Sequence, residues 1–301
     1  MFNGLIKKNN QALTSWSLLI LLSIVWGSSF ILMKKGLIAF APAEIAGIRI
    51  LSASLFLFPV AWKNLRNIKK RQWYYLFISG FFGSLIPAFL FPLAQTRIES
   101  GVTGILNALT PLFTILLGAL FFHVKFNIRI IAGIMIGFIG SIMLVLANGP
   151  GFTLQINIFA FFIILATLFY GLNVNILKYY LAEIKPIQIA SISMLLVGPF
   201  ALLYLILFSN AGSHLMNNRS GLISLVYIVI LGVVGTAIAM ALFNKLIKNT
   251  NTVFASSVTY LIPIVAVIWG IIDGESLFFQ HYLGMAAIIV GVLIANKGRN
   301  M

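Results

Sequence analysis

The chain alternates long apolar runs with short polar connections. Ten runs approach or exceed the ~20 residues a helix needs to cross ~30 Å of hydrocarbon. They cover 16–38, 42–62, 73–94, 101–122, 128–147, 156–180, 186–208, 222–247, 253–272 and 282–296. The last is short. Several ends carry amphipathic rings, among them Trp16, Trp62, Trp73, Tyr179, Tyr180 and Tyr282, where such side chains anchor at headgroups. The pattern predicts an all-α integral membrane protein of ten transmembrane helices.

The first run is interrupted by Trp26-Gly27-Ser28-Ser29, and the sixth by Tyr170-Gly171-Leu172-Asn173, 144 residues later. A lysine follows each glycine seven residues on (Lys34, Lys178), and then a proline at the same offset (Pro42, Pro186). At an offset of 152, Gly80, Gly83, Phe91, Pro111 and Gly118 match Gly232, Gly235, Phe243, Pro263 and Gly270. At 151, Gly133 and Gly140 match Gly284 and Gly291. The halves 1–150 and 151–301 therefore read as two five-helix repeats. Five is odd, so the second copy enters the bilayer from the opposite side. That makes an inverted repeat with a pseudo-twofold axis in the membrane plane.

Composition agrees with the pattern. The chain is 61% hydrophobic and only 8% charged, too apolar for one aqueous core. A net charge of +15 would suggest nucleic acid in a soluble protein. Here the basic residues sit between the apolar runs and set orientation instead. Fifteen lie at the N-terminus and in alternate connections: Lys7, Lys8, Lys63, Arg66, Lys69, Lys70, Arg71, Lys125, Arg129, Lys178, Lys185, Lys245, Lys248, Lys297 and Arg299. Four, Lys34, Lys35, Arg97 and Arg219, lie on the other side. The asymmetry predicts cytoplasmic termini, with the 63–71 connection inside and 149–151 outside. The first run is too long for a signal h-region, and Pro42 follows the cleavage-like Ala39-Phe40-Ala41, so it reads as a retained helix. Without cysteine there is no disulfide, thiolate metal site or cysteine nucleophile.

Certain residues then resemble those of a known family. Trp26-Gly27-Ser28-Ser29-Phe30, Arg49, Ala108-Leu109-Thr110-Pro111-Leu112, Tyr260-Leu261-Ile262-Pro263 and Gly274-Glu275 look like EamA-type members of the drug/metabolite transporter superfamily. The likeness spans nearly the whole chain. It departs at His123, where the first repeat lacks the glutamate that Glu275 supplies in the second. The resemblance implies a bacterial inner-membrane carrier of small organic metabolites, commonly an exporter of amino acids or similar compounds.

Polar groups in mid-run are the candidates for its site. Trp26 and Tyr170 lie too deep for a headgroup belt, and their N–H and O–H need partners. Ser29 and Asn173 are symmetry mates beside them; Ser28 and Asn175 serve equally well as glue between helices. Pro111 and Pro263 remove helix hydrogen bonds and leave the carbonyls of Asn107 and Thr259 open, beside Thr110 and Tyr260. The expected substrate site is thus Trp26, Ser29, Asn107, Thr110, Tyr170, Asn173 and Tyr260. Arg49, inside the second run, either meets an anionic group of the substrate or snorkels and supports structure. The glycines of runs three, five and eight read as close packing.

Glu44, Glu99, Asp273 and Glu275 fall near outer helix ends, and no carboxylate lies mid-run. That favours facilitated diffusion or exchange over strict proton coupling. The expected partners are a small-molecule substrate and the lipid bilayer, with no nucleic acid, cofactor or metal, and no oligomeric state is indicated. A membrane-embedded enzyme acting on lipid or peptide is the alternative from another class. It needs a nucleophile with a base, a carboxylate pair or a metal, which the spacing does not offer. A non-transporting sensor or scaffold is a third reading.

Overall fold

A computed structural model describes residues 2–122, 128–146, 157–250, 255 and 258–299. Every regular element among them is helical. Among the described residues, seven helices are long and apolar enough to cross a membrane: α1 (Phe2–Gly36, apolar from Leu13), α2 (Pro42–Asn64), α3 (Lys70–Gln95), α4 (Ser100–Phe121), α6 (Phe159–Tyr180), α7 (Pro186–Leu207) and α8 (Gly221–Asn249). Three more carry shorter apolar segments: α5 (Ile128–Leu146), α9 (Val258–Ile272) and α10 (Phe279–Arg299). A short helix, Ala211–Asn217, lies between α7 and α8. The 15 residues of α9 rise only ~22 Å, less than the run 253–272 had suggested. His123 and 149–151 fall outside the described residues.

The helices expose apolar side chains and bury polar ones, the arrangement expected of a protein dissolved in lipid. Leu55, Phe56, Trp62, Leu203, Ile206, Leu222, Ile268 and Ile271 point outward. Ser29, Arg49, Asn107, Thr110, Asn173, Asn175, Thr236, Asn244 and Thr259 are buried. α1 packs on α9 and α8; α6 packs on α4 and α3; α2 pairs with α7, and α5 with α10. The main core joins Leu22, Phe30 and Met33 of α1 to Leu106 and Leu112 of α4, Ile163 of α6 and Ile262 of α9.

Two glycines let these contacts close. A Cβ at Gly171 would stand 2.7 Å from the backbone nitrogen of Thr114, and one at Gly27 would stand 2.5 Å from the Val265 Cβ. The repeated glycine thus seats α6 against α4 and α1 against α9.

Three interruptions open the middle of the bundle. α4 breaks at Ala108–Leu109, so Ser100–Asn107 and Thr110–Phe121 are separate helical pieces. α3 and α8 each contain a π-helical segment, Phe81–Leu85 and Val233–Ile238. A π-turn widens the helix and shifts its hydrogen-bond register, and such turns are frequent at functional sites. The sequence signal was the Gly80/Gly83 and Gly232/Gly235 repeat, read above only as close packing.

Candidate functional site: a central cavity with two unlike ends

Trp26, Ser29, Asn107, Thr110, Tyr170 and Asn173 line one cavity of about 130 Å³, together with Arg49. An apolar cavity of about 150 Å³ takes up benzene, so this space suits a small molecule. Tyr260 is not among the lining residues; it packs at the edge of the main core, and Thr259 lines the cavity instead.

The walls are built twice from matched parts. On one side the Trp26 indole N–H donates to the Gly235 carbonyl at 3.0 Å, and its ring meets Phe243 edge-on at 4.9 Å. On the other, Tyr170 stacks on Phe91 at 5.8 Å, and the Asn173 amide fills the space where Gly83 lacks a side chain. The π-segment of α8 thus serves α1, and that of α3 serves α6. Ser29 lies against Gly235 and donates to the Val25 carbonyl.

Two sequence expectations need revision. Thr110 folds its hydroxyl back to the Asn107 carbonyl at 2.9 Å, so that carbonyl is capped. The open acceptors are side-chain amide oxygens: Oδ1 of Asn107 and Oδ1 of Asn173 are buried and receive no hydrogen bond within the protein. Arg49 does not snorkel outward. It is buried on the cavity wall, its Nε donates to Thr236 Oγ1 at 2.8 Å, and the Tyr170 hydroxyl faces the same guanidinium. Two residues left open above are structural. Asn175 donates to the carbonyls of Thr114 and Gly171, tying α6 to α4, and Ser28 accepts from the Trp269 indole.

Beyond the cavity-lining Met33, at the end of α1, lies a cluster of charge. Glu275 accepts from Lys34 Nζ at 2.8 Å, from the Ser100 hydroxyl and N–H at 2.6 and 2.9 Å, and from the Gly101 N–H at 2.8 Å. Asp273 pairs with Lys34 at 2.8 Å and also with Lys35. The cluster joins the end of α1, the start of α4 and the turn after α9, where Gly274 adopts a φ of +79°. Hydrogen bonds from Lys34 and Lys35 hold the Asp273 carboxyl below its ordinary value. Burial alone would raise Glu275, but Lys34, Ser100 and Gly101 outweigh it and hold it low. Burial and the Glu275 charge push the neighbouring Glu99 up. At the same end Glu44 accepts from the Asn210 N–H and pairs with His214. Run positions indicate the depth of these acids, but no local pattern relates Lys34 to Glu275, 241 positions away.

The other end holds a vestibule of about 370 Å³, lined in part by Lys178, Lys248 and Pro186. Leu177 and Asn244 line both spaces, so the vestibule adjoins the central cavity.

Comparison with known proteins follows the same architecture. The sequence profile of the EamA-like transporter family matches twice, over residues 14–146 and 157–297. The "Uncharacterized inner membrane transporter YedA" of Escherichia coli K12 is 27% identical over 297 residues, spanning 96% of this chain and 92% of the relative. The "Probable amino-acid metabolite efflux pump" of Salmonella typhimurium LT2 is 26% identical over 292 residues, 92% of this chain and 93% of that one. One crystal structure, 16% identical, shares the fold with a TM-score of 0.63 over 97% of this chain and 98% of its own. With two family matches covering most of its length, the chain belongs to the EamA-like transporter family.

Proposed function

We propose that this transporter moves amino acids or related small metabolites out of the cell, by alternating access around the central cavity. Two inverted five-helix repeats, 1–150 and 151–301, give ten membrane helices in a bacterial inner membrane with both termini cytoplasmic. The observation that carries this is the doubled cavity wall. Trp26 with Phe243 and Tyr170 with Phe91 are the pairs that exchange when the halves are exchanged. The helix pairing supports the same symmetry: α1 with α9 and α8 becomes α6 with α4 and α3, while α2–α7 and α5–α10 map onto themselves. A site on the axis between inverted repeats can be offered to each side in turn as one bundle rocks against the other. The substrate class rests on the likeness to the Salmonella efflux pump, and the orientation on the fifteen-to-four asymmetry of basic residues.

Trp26, Ser29, Asn107, Thr110, Tyr170 and Asn173 are the proposed contacts, with Tyr260 behind them. Metabolite profiles of cells and medium, with and without the protein, would identify a substrate. Trp26→Ala should then reduce its flux in proteoliposomes by about tenfold, from a lost ring contact and a looser wall. The amount of folded protein should fall far less. Unchanged flux in that variant would remove the cavity from the transport path.

A further inference from the structure

We propose that the cavity holds its permeant by a carboxylate on Arg49, and turns a hydrogen-bond donor of the same molecule toward Asn107 and Asn173. This rests on the cavity being the transport site. The argument begins with charge. Among the residues lining the cavity, Arg49 alone carries a formal charge, and no Asp or Glu is present. The vestibule adds Lys178 and Lys248, again with no acid among its lining residues. The formal charges on the residues that line the two spaces are thus all positive, a lining that favours anions over cations.

Arg49 itself is built to receive something. A buried guanidinium is normally matched by a carboxylate, because an uncompensated charge in a low-dielectric interior is expensive. Here its neighbours are neutral, Thr236 and Tyr170, and among the described residues no carboxylate pairs with it. It is 9% exposed, so only little solvent reaches it to stand in for a counter-ion. Guanidinium is also the side chain best shaped for bidentate carboxylate binding.

A second, independent feature lies in the same cavity. Asn107 and Asn173 are each 7% exposed, and each has an amide oxygen with no donor. Buried acceptors are rarely left empty, so these two call for an N–H or O–H from a bound molecule. The Trp26 and Tyr170 rings line the same cavity and supply apolar faces beside these polar groups. Together they describe a small carboxylic acid bearing a hydroxyl, amide or ammonium group. A simple amine does not fit.

Four probes on one benzyl body test this: mandelate, phenylacetate, phenylacetamide and phenethylamine. Each is titrated against the purified full-length protein, with binding read from tryptophan fluorescence and thermal stability in detergent. Mandelate and phenylacetate should bind at least tenfold more tightly than phenylacetamide or phenethylamine, and mandelate more tightly than phenylacetate. Arg49→Gln should weaken the carboxylates roughly 10–100-fold and level the four probes. The wild-type comparison of phenylacetate with its amide needs no variant, so a poorly folding Arg49→Gln leaves the test intact. Equal binding of acid and amide, preference for the amine, or no binding of any probe would each overturn the carboxylate assignment. The parent reading fails separately, through undiminished flux in Trp26→Ala.

Discussion

At one end of the cavity Lys34, Lys35, Asp273, Glu275 and Ser100 bind one another; at the other, Lys178 and Lys248 border an open vestibule beside Leu177 and Asn244. The closed end uses a carboxylate whose side chain is 1% exposed and that accepts four hydrogen bonds. The nearest counterpart among the described basic connections is Lys69–Glu183, 3.5 Å apart, with side chains 77% and 80% exposed. The difference teaches where closure resides. A charge-assisted cluster built on one buried carboxylate can hold three segments together, yet it comes apart by proton or side-chain exchange without disturbing apolar packing. An exposed pair contributes next to nothing. We infer that this cluster is the latch of the acidic end and that the vestibule is the way in from the basic end.

The comparison breaks most directly at Glu275. Ser84 lines the cavity, and the protein has no native cysteine, so Ser84→Cys gives a single reporter. With Glu275 intact, an impermeant thiol reagent should label this cysteine from the basic side and slowly, if at all, from the acidic side. Glu275→Gln removes the charge from four hydrogen bonds, each worth ~1.5–3 kcal/mol when charged. Labelling from the acidic side should rise tenfold or more. No rise would mean that packing, and not this cluster, closes that end.

A smaller effect is expected from pH. Asp273 and Glu275 have lowered pKa values, so their contribution to closure is complete above the ordinary carboxylate range near 4 and is lost as pH falls through the lowered values. Glu99 has the opposite sign. Its raised pKa means that its charged form opposes closure, and that protonation relieves it first as pH falls. Labelling from the acidic side, taken as a ratio to basic-side labelling at the same pH so that the falling thiolate fraction cancels, should therefore dip on mild acidification and climb as pH falls below the ordinary carboxylate range. A flat profile through that range would dissociate the latch from its charges.

Smallest of all is the change at the basic end. Glu183→Gln should leave both the melting temperature and the labelling pattern unchanged within error. A clear shift in either would show that the two ends differ less than their burial implies.

How much of this was legible beforehand depends on what each feature needs. The helices follow from run length, and the cavity wall from polar groups in mid-run, because the cost of turning such groups to lipid acts on sequence position directly. The π-segments did not emerge, since Gly80-x-x-Gly83 reads equally as a packing motif until the backbone path is known. Tyr260 and Thr259 differ by one position, and that step rotates a helical side chain by ~100°, beyond what a run boundary fixes. The capped Asn107 carbonyl was misread because a proline rule counts lost hydrogen bonds but not the hydroxyl that Thr110 offers three residues on. The Lys34–Glu275 latch joins residues that no local pattern relates.

The lone guanidinium has an electrical consequence. A full unit charge carried across a membrane exchanges about 2.3 kcal/mol with each 100 mV of potential. With Arg49 uncompensated, the empty site carries one positive charge; with an anion seated on it, the site is neutral. The voltage of the cell would then act on the empty and loaded forms unequally, drawing the vacant site toward the negative side and leaving the occupied one nearly indifferent. Vesicles held at opposite potentials would report this as unequal turnover at equal substrate, and equal turnover would mean that the charge does not move through the field.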